Sequence, residues 1–304
     1  MNLIQGRCEM LQRCVVVGGA GAVGDMFAQL LEDAGAQVCV LDITPPDVVG
    51  SARRFERADI TMLNQQVLTE LGEADLVLLA VSERVALAAI ASVHEALKPG
   101  ALLAETLSVK SRVTAVVRTD APRTEVVGLN PMFAPSLGMA GNPVAAVVTH
   151  GGPRTCELLR LVTAWGGRVV RMDAEEHDRV VTAVQVLTHA AVLAFGFALA
   201  ELDIGIEELS ALASPPHAMM LALLARIVSG TPEVYWDVQS ANLRAPEARE
   251  ALIRGARQLA DHIATGDETA FVKGLLQTRA ALGGELDRYR ELCAQAFDLL
   301  RRPH

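Results

Sequence analysis

The stretch VVVGGAGAVGDMF, residues 15–27, indicates the fold of the first half of this chain. A short run of β-branched residues leads into the glycine pattern GxGxxG, and residues with helical spacing follow it directly. Glycines at these positions allow a tight turn and let the backbone approach a pyrophosphate, which would sit at the N-terminus of the helix. The stretch therefore predicts a dinucleotide-binding turn between a strand and a helix.

Asp42 supports this prediction because it ends the next predicted strand, AQVCVLD. A carboxylate there can accept hydrogen bonds from the ribose hydroxyls and would repel a 2′-phosphate, which favours NAD over NADP as the cofactor. The alternative is a glycine-rich turn beside a surface aspartate that binds no ligand. The candidate cofactor-binding residues are Gly19, Ala20, Gly21, Ala22, Val23, Gly24 and Asp42.

Strand and helix patterns alternate as far as about residue 172. The strand patterns after AQVCVLD are ADLVLLAV, ALLAET, EVVGLNP, PVAAVVTH and GRVVRM. This alternation predicts an α/β fold with a Rossmann-like, doubly wound parallel sheet. Later patterns are helical only, which predicts an all-α C-terminal domain. We therefore place a dinucleotide-binding domain in residues 1–172 and a helical domain in residues 173–304.

Breaks at glycine or proline divide the helical half into five predicted helices. They cover residues 174–203, 206–213, 215–230, 245–266 and 268–300. The apolar part of the first helix, AVQVLTHAAVLAFGFALA, is long enough to cross a membrane. Because it contains Gln185 and His189 and has acidic residues on both sides, we predict a fully buried core helix instead.

The overall composition excludes several classes of protein. Hydrophobic residues make up 51% and charged residues 21% of the 304 residues, which indicates a globular chain with a substantial core. The net charge of −9 argues against nucleic acids and anionic membranes as partners, because both require a surplus of basic residues. The five cysteines form no CxxC pair, so we expect neither a disulfide framework nor a zinc site and place the protein in the cytoplasm.

Polar residues at the ends of predicted strands and inside apolar helices are candidates for a site. Ser108 and Lys110 follow ALLAET, where open α/β sheets bind ligands, and could contact a cofactor or an anionic substrate. A solvated polar loop is the alternative. His177 and His189 lie too far apart on one helix to share a metal ion, and His189 alone is typical of a buried core histidine. Arg226 ends an apolar helix and either extends into solvent or binds an anion.

Together these segments resemble the prephenate dehydrogenase family. The resemblance extends over nearly the whole chain and rests on SVK (108–110), NPMFAP (130–135), EEHD (175–178), LTHA (187–190) and SPPHAMMLALLAR (214–226). It implies a homodimer formed through the helical domain, which would also bind the substrate. It further implies an NAD(P)-dependent oxidation of a cyclohexadienol that releases CO2.

The resemblance also implies roles for individual residues. Ser108 and Lys110 match the family's active-site serine and lysine. His189 matches a histidine that lines the substrate and nicotinamide pocket, and Arg226 matches the arginine that holds a substrate carboxylate with its bidentate fork. One departure from the family is Ala218, which stands where a second, less essential arginine is usual.

The more important departure is Asn130, which stands where the family has its catalytic histidine. That histidine is held to bind the substrate's 4-hydroxyl and to take its proton as hydride leaves C4. An asparagine cannot act as this base, although its amide can orient the group on C4. The candidate catalytic residues are therefore Asn130, His189 and Ser108, and the candidate substrate-binding residues are Arg226, Lys110 and Asn130.

Asn130 favours a substrate that needs no base. If C4 carries an amino group, the nitrogen lone pair supports the positive charge that hydride loss creates, and loss of CO2 restores a neutral aromatic amine. We therefore expect oxidation of 4-amino-4-deoxyprephenate to 4-aminophenylpyruvate, a step towards 4-aminophenylalanine in antibiotic biosynthesis. One alternative is a prephenate or arogenate dehydrogenase in which His189 or water replaces the base. Another is a non-catalytic protein that binds NAD.

Overall fold

The computed structural model describes residues 8–45 and 53–300. The chain divides into two compact units, Met1–Val181 and Thr182–His304. The first unit is built around one mixed sheet with helices, and the second is helical throughout its described residues. This architecture confirms the predicted combination of a Rossmann-like domain and an all-α domain.

The sheet contains eight strands among the described residues. They are β1 (Arg13–Val17), β2 (Gln37–Asp42), β3 (Arg54–Arg57), β4 (Leu76–Leu79), β5 (Leu102–Glu105), β6 (Glu125–Pro131), β7 (Pro143–His150) and β8 (Arg168–Arg171). Their order across the sheet is β3-β2-β1-β4-β5-β6-β7-β8, and neighbouring strands are parallel except β6 and β7. The first six strands have the order of a doubly wound dinucleotide-binding sheet, which β7 and β8 extend.

Two features of the sheet differ from the prediction. β3, with the sequence RFER, was not predicted because its charged residues hide the strand pattern; pairing with β2 holds it at the edge of the sheet. β7 is the exception to the predicted parallel arrangement. The connection between β6 and β7, residues 132–142, is too short for the helical crossover that parallel neighbours require.

Helices accompany this sheet on both faces. In the described residues they are α1 (Ala22–Asp33), α2 (Gln65–Glu73), α3 (Glu83–Ala96), α4 (Ser111–Asp120), α5 (Pro153–Ala164) and α6 (Ala174–Val181). Side chains alternate along each strand, so β1 directs Cys14 and Val16 into one buried cluster and Val15 and Val17 into another. α1 and α5 pack in the first cluster, and α2, α3 and α4 in the second. The strand ends, not the strand faces, therefore remain open to a ligand.

The helical run that begins at Ala174 starts within the first unit. Its first part, α6, packs against α4 and β7, so the compact unit extends to Val181, nine residues beyond the predicted domain end at residue 172. A π-helix, Thr182–Leu187, opens the second unit. The prediction located the end of the strand patterns, whereas the boundary depends on the neighbours that the first helical turns contact.

The second unit continues with seven α-helices in its described residues. They are α7 (Thr188–Glu201), α8 (Ile206–Ala211), α9 (Pro215–Val228), α10 (Pro232–Ser240), α11 (Ala245–Ala264), α12 (Glu268–Leu282) and α13 (Leu286–Leu300). α10 was not predicted, because its β-branched and aromatic residues have weak helix propensity. The predicted helix over residues 268–300 is interrupted at Gly283, whose φ of 53° lies in the left-handed region that favours glycine.

The apolar helix α7 is not the fully buried core helix that its sequence predicts. Only Val192 of this helix is buried, and Phe197 is 69% exposed. By length and composition alone, the run Ala174–Glu201 could cross a membrane. The prediction of burial within one chain is wrong because the described helices of this unit cover only part of its apolar surface; Trp236, for example, is also mostly exposed.

Phe27 tests the packing between α1 and the sheet. Its side chain is fully buried and meets the ring of Trp165 edge-on, with the centroids 6.4 Å apart. We expect Phe27→Ala to lower the free energy of unfolding by about 3–5 kcal/mol, because it leaves a cavity in the core. Urea denaturation followed by circular dichroism measures the change. The control Met62→Ala, at a side chain 76% exposed, should cost less than about 0.5 kcal/mol. Equal losses in both variants would contradict this packing.

Candidate active site

The glycine turn lies between β1 and α1, as predicted. Gly18 has a φ of 76°, and a side chain on it would overlap with the backbone carbonyl of Ala80. A side chain on Gly24 would overlap with the carbonyl of Gly18, and one on Gly19 would overlap with Val40. These glycines are therefore required by the close packing of the turn. Gly18 was not among the predicted residues, although it directly precedes the GxGxxG pattern.

Gly21 faces open space on the other side of the turn. It is the N-cap of α1, and a side chain there would approach only the carbonyl oxygen of Gly18, at 3.3 Å. The first N–H groups of α1, including those of Ala22 and Val23, have no partner within the helix and lie at the positive end of its dipole. This side of the turn therefore fits a phosphate group.

Asp42 orders the region where β2 ends. Its Oδ2 accepts a hydrogen bond from the backbone N–H of Ala20, and its Oδ1 accepts one from that of Thr44, both at 3.0 Å. A cleft of about 570 Å³ opens here. Its lining includes Gly18, Ala20, Gly21, Asp42, Thr44, Ala80, Val81 and Ser82. The cleft, the open side of the glycine turn and the carboxylate together fit a dinucleotide.

The loop after β5 holds Ser108 and Lys110 in different environments. Ser108 is half-buried, whereas Lys110 is completely buried. The Nζ atom of Lys110 lies 2.7 and 2.9 Å from the two carboxylate oxygens of Glu105 and donates to the carbonyl oxygen of Leu129 at 3.0 Å. The prediction that Lys110 contacts an anionic substrate does not agree with this geometry, because the ammonium group is fully engaged inside the protein.

Burial dominates the electrostatics of this ion pair. It raises the pKa of Glu105 and lowers the pKa of Lys110, while the attraction between the two groups acts in the opposite sense on both. Gly128 in β6 leaves the necessary space, since a side chain there would overlap with the Glu105 carboxylate. The ion pair thus connects the loop after β5 to β6, close to Asn130 in sequence.

Asn130 lies near the end of β6 and is 3% exposed. Its Nδ2 is 3.1 Å from Nε2 of His177, and Nδ1 of His177 is 2.8 Å from Oδ1 of Asp178. The Asp178 carboxylate also accepts hydrogen bonds from the backbone N–H groups of Lys110 at 2.8 Å and Ser111 at 2.9 Å. One buried row of polar side chains therefore joins β6 and α6. We call it the Asn130 row; it consists of Asn130, His177 and Asp178.

The charges within the Asn130 row follow from burial and hydrogen bonding. Burial lowers the pKa of His177, and the neighbouring Asp178 only partly opposes this effect. Burial acts to raise the pKa of Asp178, but its hydrogen bonds outweigh burial and hold that pKa below its usual range. At neutral pH the row therefore contains a carboxylate, a neutral imidazole and an amide.

His189 and Arg226 lie in the second unit, on α7 and α9. The Nδ1 atom of His189 is buried and has no hydrogen-bond partner among the described residues. The His189 ring packs edge-on against Tyr235, with the centroids 5.2 Å apart. Burial and the positive charge of Arg226 lower the pKa of His189. Arg226 itself is exposed, so its guanidinium is accessible to an anion.

The structure adds four residues to the candidates: His177, Asp178, Glu105 and Tyr235. His177 and Asp178 belong to the EEHD segment, which marks the family resemblance but not the contact with Asn130. Glu105 ends an apolar strand pattern, where a buried carboxylate requires a partner that sequence spacing does not reveal. Tyr235 belongs to α10, the helix that was not predicted.

Two family models match this chain. "Prephenate dehydrogenase, nucleotide-binding domain" matches residues 27–145, and "Prephenate dehydrogenase, dimerization domain" matches residues 173–277. The chain belongs to the prephenate dehydrogenase family. Within this family, Asn130 falls in the nucleotide-binding domain, and His189 and Arg226 fall in the dimerization domain. The resemblance predicted from the sequence motifs is therefore confirmed.

Two relatives show which activities occur among similar family members. A 4-amino-4-deoxyprephenate dehydrogenase from Streptomyces pristinaespiralis is 48% identical over 288 residues, which cover 95% of this chain and 97% of the relative. A probable arogenate/prephenate dehydrogenase from Methanocaldococcus jannaschii is 26% identical over 278 residues, which cover 90% of this chain and 61% of the relative.

A solved structure shares the fold. Prephenate dehydrogenase from Aquifex aeolicus, in complex with hydroxyphenyl propionate and NAD+, superimposes with a TM-score of 0.71. It is 20% identical, and the match covers 90% of this chain and 98% of that protein. At this identity, the likeness supports the fold alone.

The buried ion pair makes a prediction about stability and pH. Lys110→Met should lower the free energy of unfolding by about 3–5 kcal/mol near neutral pH, because it leaves the Glu105 carboxylate buried without its cation. The pKa of Glu105 in the folded protein is raised, so protonation of Glu105 favours the folded state. The loss of unfolding free energy in Lys110→Met should therefore be largest above that raised pKa. It should shrink as the pH falls towards the ordinary glutamate range.

Urea denaturation at several pH values checks this prediction. Lys98→Met is the matched control, because Lys98 pairs with Asp75 but its side chain is 34% exposed. The control should cost less than about 1 kcal/mol. A Lys110→Met deficit that did not change with pH would show that Glu105 is not the source of the instability.

Proposed function

We propose that this family member uses NAD to convert 4-amino-4-deoxyprephenate into 4-aminophenylpyruvate by oxidative decarboxylation. The observation that carries the proposal is Asn130, a buried amide bonded to a neutral histidine. By resemblance, Asn130 stands where the family has its catalytic base. The 48% identical relative from Streptomyces pristinaespiralis is described as a dehydrogenase of this substrate, which supports the proposal.

The glycine turn and Asp42 are the parts of the chain that would hold the cofactor. The N-terminus of α1 would bind the pyrophosphate, and the Asp42 carboxylate would accept hydrogen bonds from the ribose hydroxyls. The same carboxylate would repel a 2′-phosphate, which favours NAD. When bound, the nicotinamide ring supplies the acceptor for a hydride. The chain's remaining task is to bind the substrate and to stabilise the charge that develops at C4.

An amino group on C4 removes the need for a base. Hydride loss from a carbon that bears a hydroxyl creates a positive charge, which removal of the hydroxyl proton relieves. Nitrogen carries this charge much better, as an iminium ion that keeps its protons. Asn130 cannot take a proton, and Nε2 of His177 is already bonded to Asn130. These two residues therefore suit an amino substrate.

The reaction of an amino substrate balances without a proton transfer. C4 loses one hydrogen with two electrons, which leaves a positive charge shared by C4 and its nitrogen. The ring carboxylate then leaves as CO2, and the electron pair of the broken C–C bond enters the ring. The ring becomes aromatic and the amino group neutral. The substrate must only bind with its amine unprotonated.

Arg226, His189 and Ser108 are the residues that we propose to contact the substrate. Arg226 offers an exposed guanidinium to a carboxylate. The buried Nδ1 of His189, which has no partner among the described residues, requires a polar group beside it. Ser108 offers a half-buried hydroxyl. Lys110 has an indirect part, because its ammonium holds the loop that carries Ser108.

The second candidate function is oxidation of prephenate or arogenate, as described for the 26% identical relative from Methanocaldococcus jannaschii. This function requires another base in place of Asn130. His189 is the candidate, because burial and Arg226 favour its neutral form and its Nδ1 has no partner among the described residues.

We also propose that the protein is a homodimer formed through its second unit. Residues 173–277 match the family's dimerization domain. Large apolar side chains of this unit are exposed in the single chain, among them Phe197, Trp236 and Leu243 at 69%, 70% and 81%. Burial of such a surface against a second copy would be favourable.

Substrate preference is the direct test of the proposed function. With NAD, we expect the native protein to use 4-amino-4-deoxyprephenate with a kcat/KM at least about 100-fold above that for prephenate, since a missing general base costs about this factor. Asn130→His should gain activity on prephenate because it restores a base. Formation of NADH, followed by its absorbance, measures both reactions.

Asn142→His is the control for this experiment. Asn142 is half-buried in the same unit, where its side chain bonds the carbonyl of Gly138, and the substitution should leave the substrate preference unchanged. Preference of the native protein for prephenate would support the second candidate function and direct attention to His189. Tight NAD binding without turnover of either substrate would instead indicate a non-catalytic protein.

Arg226 tests the proposed recognition of a carboxylate. Arg226→Gln should raise KM about 10- to 100-fold, because it removes a charge-assisted pair, and should change kcat much less. Steady-state kinetics with the amino substrate separates the two constants. Arg118→Gln removes the same charge from an exposed position in α4 and serves as the control. An unchanged KM in Arg226→Gln would exclude Arg226 from substrate binding.

A further inference from the structure

Each hydrogen bond of the Asn130 row has one donor and one acceptor, and the donors all point the same way along the row. Asn130 and His177 are 3% and 0% exposed, so water does not compete for these bonds. The distances are 3.1 Å from Asn130 Nδ2 to His177 Nε2 and 2.8 Å from His177 Nδ1 to Asp178 Oδ1. Because an amide has one donor end and one acceptor end, the row decides which end of Asn130 remains for a ligand.

The direction is set at Asp178. Its carboxylate accepts hydrogen bonds from two backbone N–H groups, those of Lys110 and Ser111. Burial acts to raise the pKa of Asp178, but hydrogen bonds with the side chains of His177 and Ser111 and with these N–H groups hold that pKa below its usual range, so the carboxylate is ionised. An ionised carboxylate has no hydrogen to donate. The hydrogen in the bond between Asp178 and His177 therefore belongs to Nδ1 of His177.

His177 transmits this direction to Asn130. Burial favours the neutral imidazole, which carries a single hydrogen, on Nδ1. Its Nε2 is then an acceptor, and Asn130 has to present its NH2 group to it. The amide oxygen of Asn130 is the end that remains for a ligand, since it has no hydrogen bond within residues 8–45 and 53–300.

We propose that His177, oriented by Asp178, is a positioning residue that keeps the amide oxygen of Asn130 turned towards the C4 amino group of the substrate. This inference rests on the proposed function. It adds the means by which the site selects an amine: a fixed acceptor, supplied by a side chain that cannot take a proton.

The orientation of the amide matters for the developing charge. As hydride leaves C4, the nitrogen becomes positive and its N–H groups become stronger donors. A hydrogen bond from N–H to the Asn130 oxygen therefore strengthens in the transition state, which is the condition for accelerating the reaction. The reversed amide would donate to the nitrogen lone pair, which has to remain free to form the iminium ion.

The same orientation gives little help to a hydroxyl substrate. A hydroxyl on C4 becomes strongly acidic as hydride leaves, and its proton has to be removed. The Asn130 oxygen can accept a hydrogen bond from this hydroxyl but cannot take the proton. The Asn130 row therefore favours an amino substrate for two reasons. It contains no base for a hydroxyl proton, and the Asn130 amide keeps its oxygen towards the substrate.

Kinetics of two His177 variants test the proposal. His177→Phe keeps a flat ring but frees the Asn130 amide to rotate, so we expect kcat on the amino substrate to fall about 10- to 100-fold while KM changes less than about threefold. His177→Gln offers one donor and one acceptor to the same neighbours and should recover part of the lost kcat. His94→Phe is the matched control, because His94 makes one polar contact, with Thr124, elsewhere in this unit.

Binding of the product provides a readout that needs no turnover. Titration calorimetry should show that His177→Phe weakens binding of 4-aminophenylpyruvate about 3- to 10-fold. Binding of 4-hydroxyphenylpyruvate should change less, because a hydroxyl can pair with either end of an amide. Equal weakening of both ligands would mean that His177 has only a structural role and would overturn the proposal.

The tautomer of His177 can be measured in the native protein, whether or not the variants fold. ¹⁵N NMR should show a neutral imidazole with its hydrogen on Nδ1; a hydrogen on Nε2 would overturn the proposal. Failure of the proposed function looks different, because the native protein would then not oxidise the amino substrate. Normal turnover by the native protein together with an unchanged kcat in His177→Phe would refute this inference alone.

Discussion

A buried ammonium group, that of Lys110, is the constraint that fixes the surroundings of Asn130. Without water, its charge requires an anion inside the protein, and Glu105 at the end of β5 supplies two carboxylate oxygens. The same ammonium binds the carbonyl of Leu129, next to Asn130, and the backbone N–H of Lys110 binds Asp178. One residue thus connects β5, β6 and α6, the elements that surround Asn130.

In this arrangement the charged residues hold other residues in place and do not themselves meet the substrate in our proposal. Glu105 and Lys110 form the buried ion pair. The Asp178 carboxylate lies 2.8 Å from Nδ1 of His177 and, by our inference, sets the tautomer of that histidine. Asn130, which we propose to lie beside the reacting carbon, is uncharged and neither gains nor loses a proton. A site of this kind stabilises a developing charge by a fixed dipole, which suits an oxidation whose positive charge stays on nitrogen.

Apolar residues of the second unit differ from those of the first, because many of them are not covered by their own chain. Its helices carry His189 and Arg226, but much of their apolar surface, including Phe197, is exposed in the single chain. The same composition that predicts a buried helix also describes a helix that is buried only by a partner. The match to a dimerization domain supports the second case. Sequence hydrophobicity alone cannot, because it records that a side chain avoids water and not which chain covers it.

Sequence patterns alone predict the features that arise from neighbouring residues, which are the strands of the sheet except β3 and the glycine turn before α1. By resemblance to the family they also predict that Asn130 stands where a catalytic histidine is usual. Periodicity and motif spacing are local, so they can be recognised along the chain. The folded structure alone shows the antiparallel direction of β7, the burial of Lys110 and the contact between Asn130 and His177. These features depend on residues that are distant in sequence, and backbone pairing and the cost of burying a charge bring such residues together only in the folded protein.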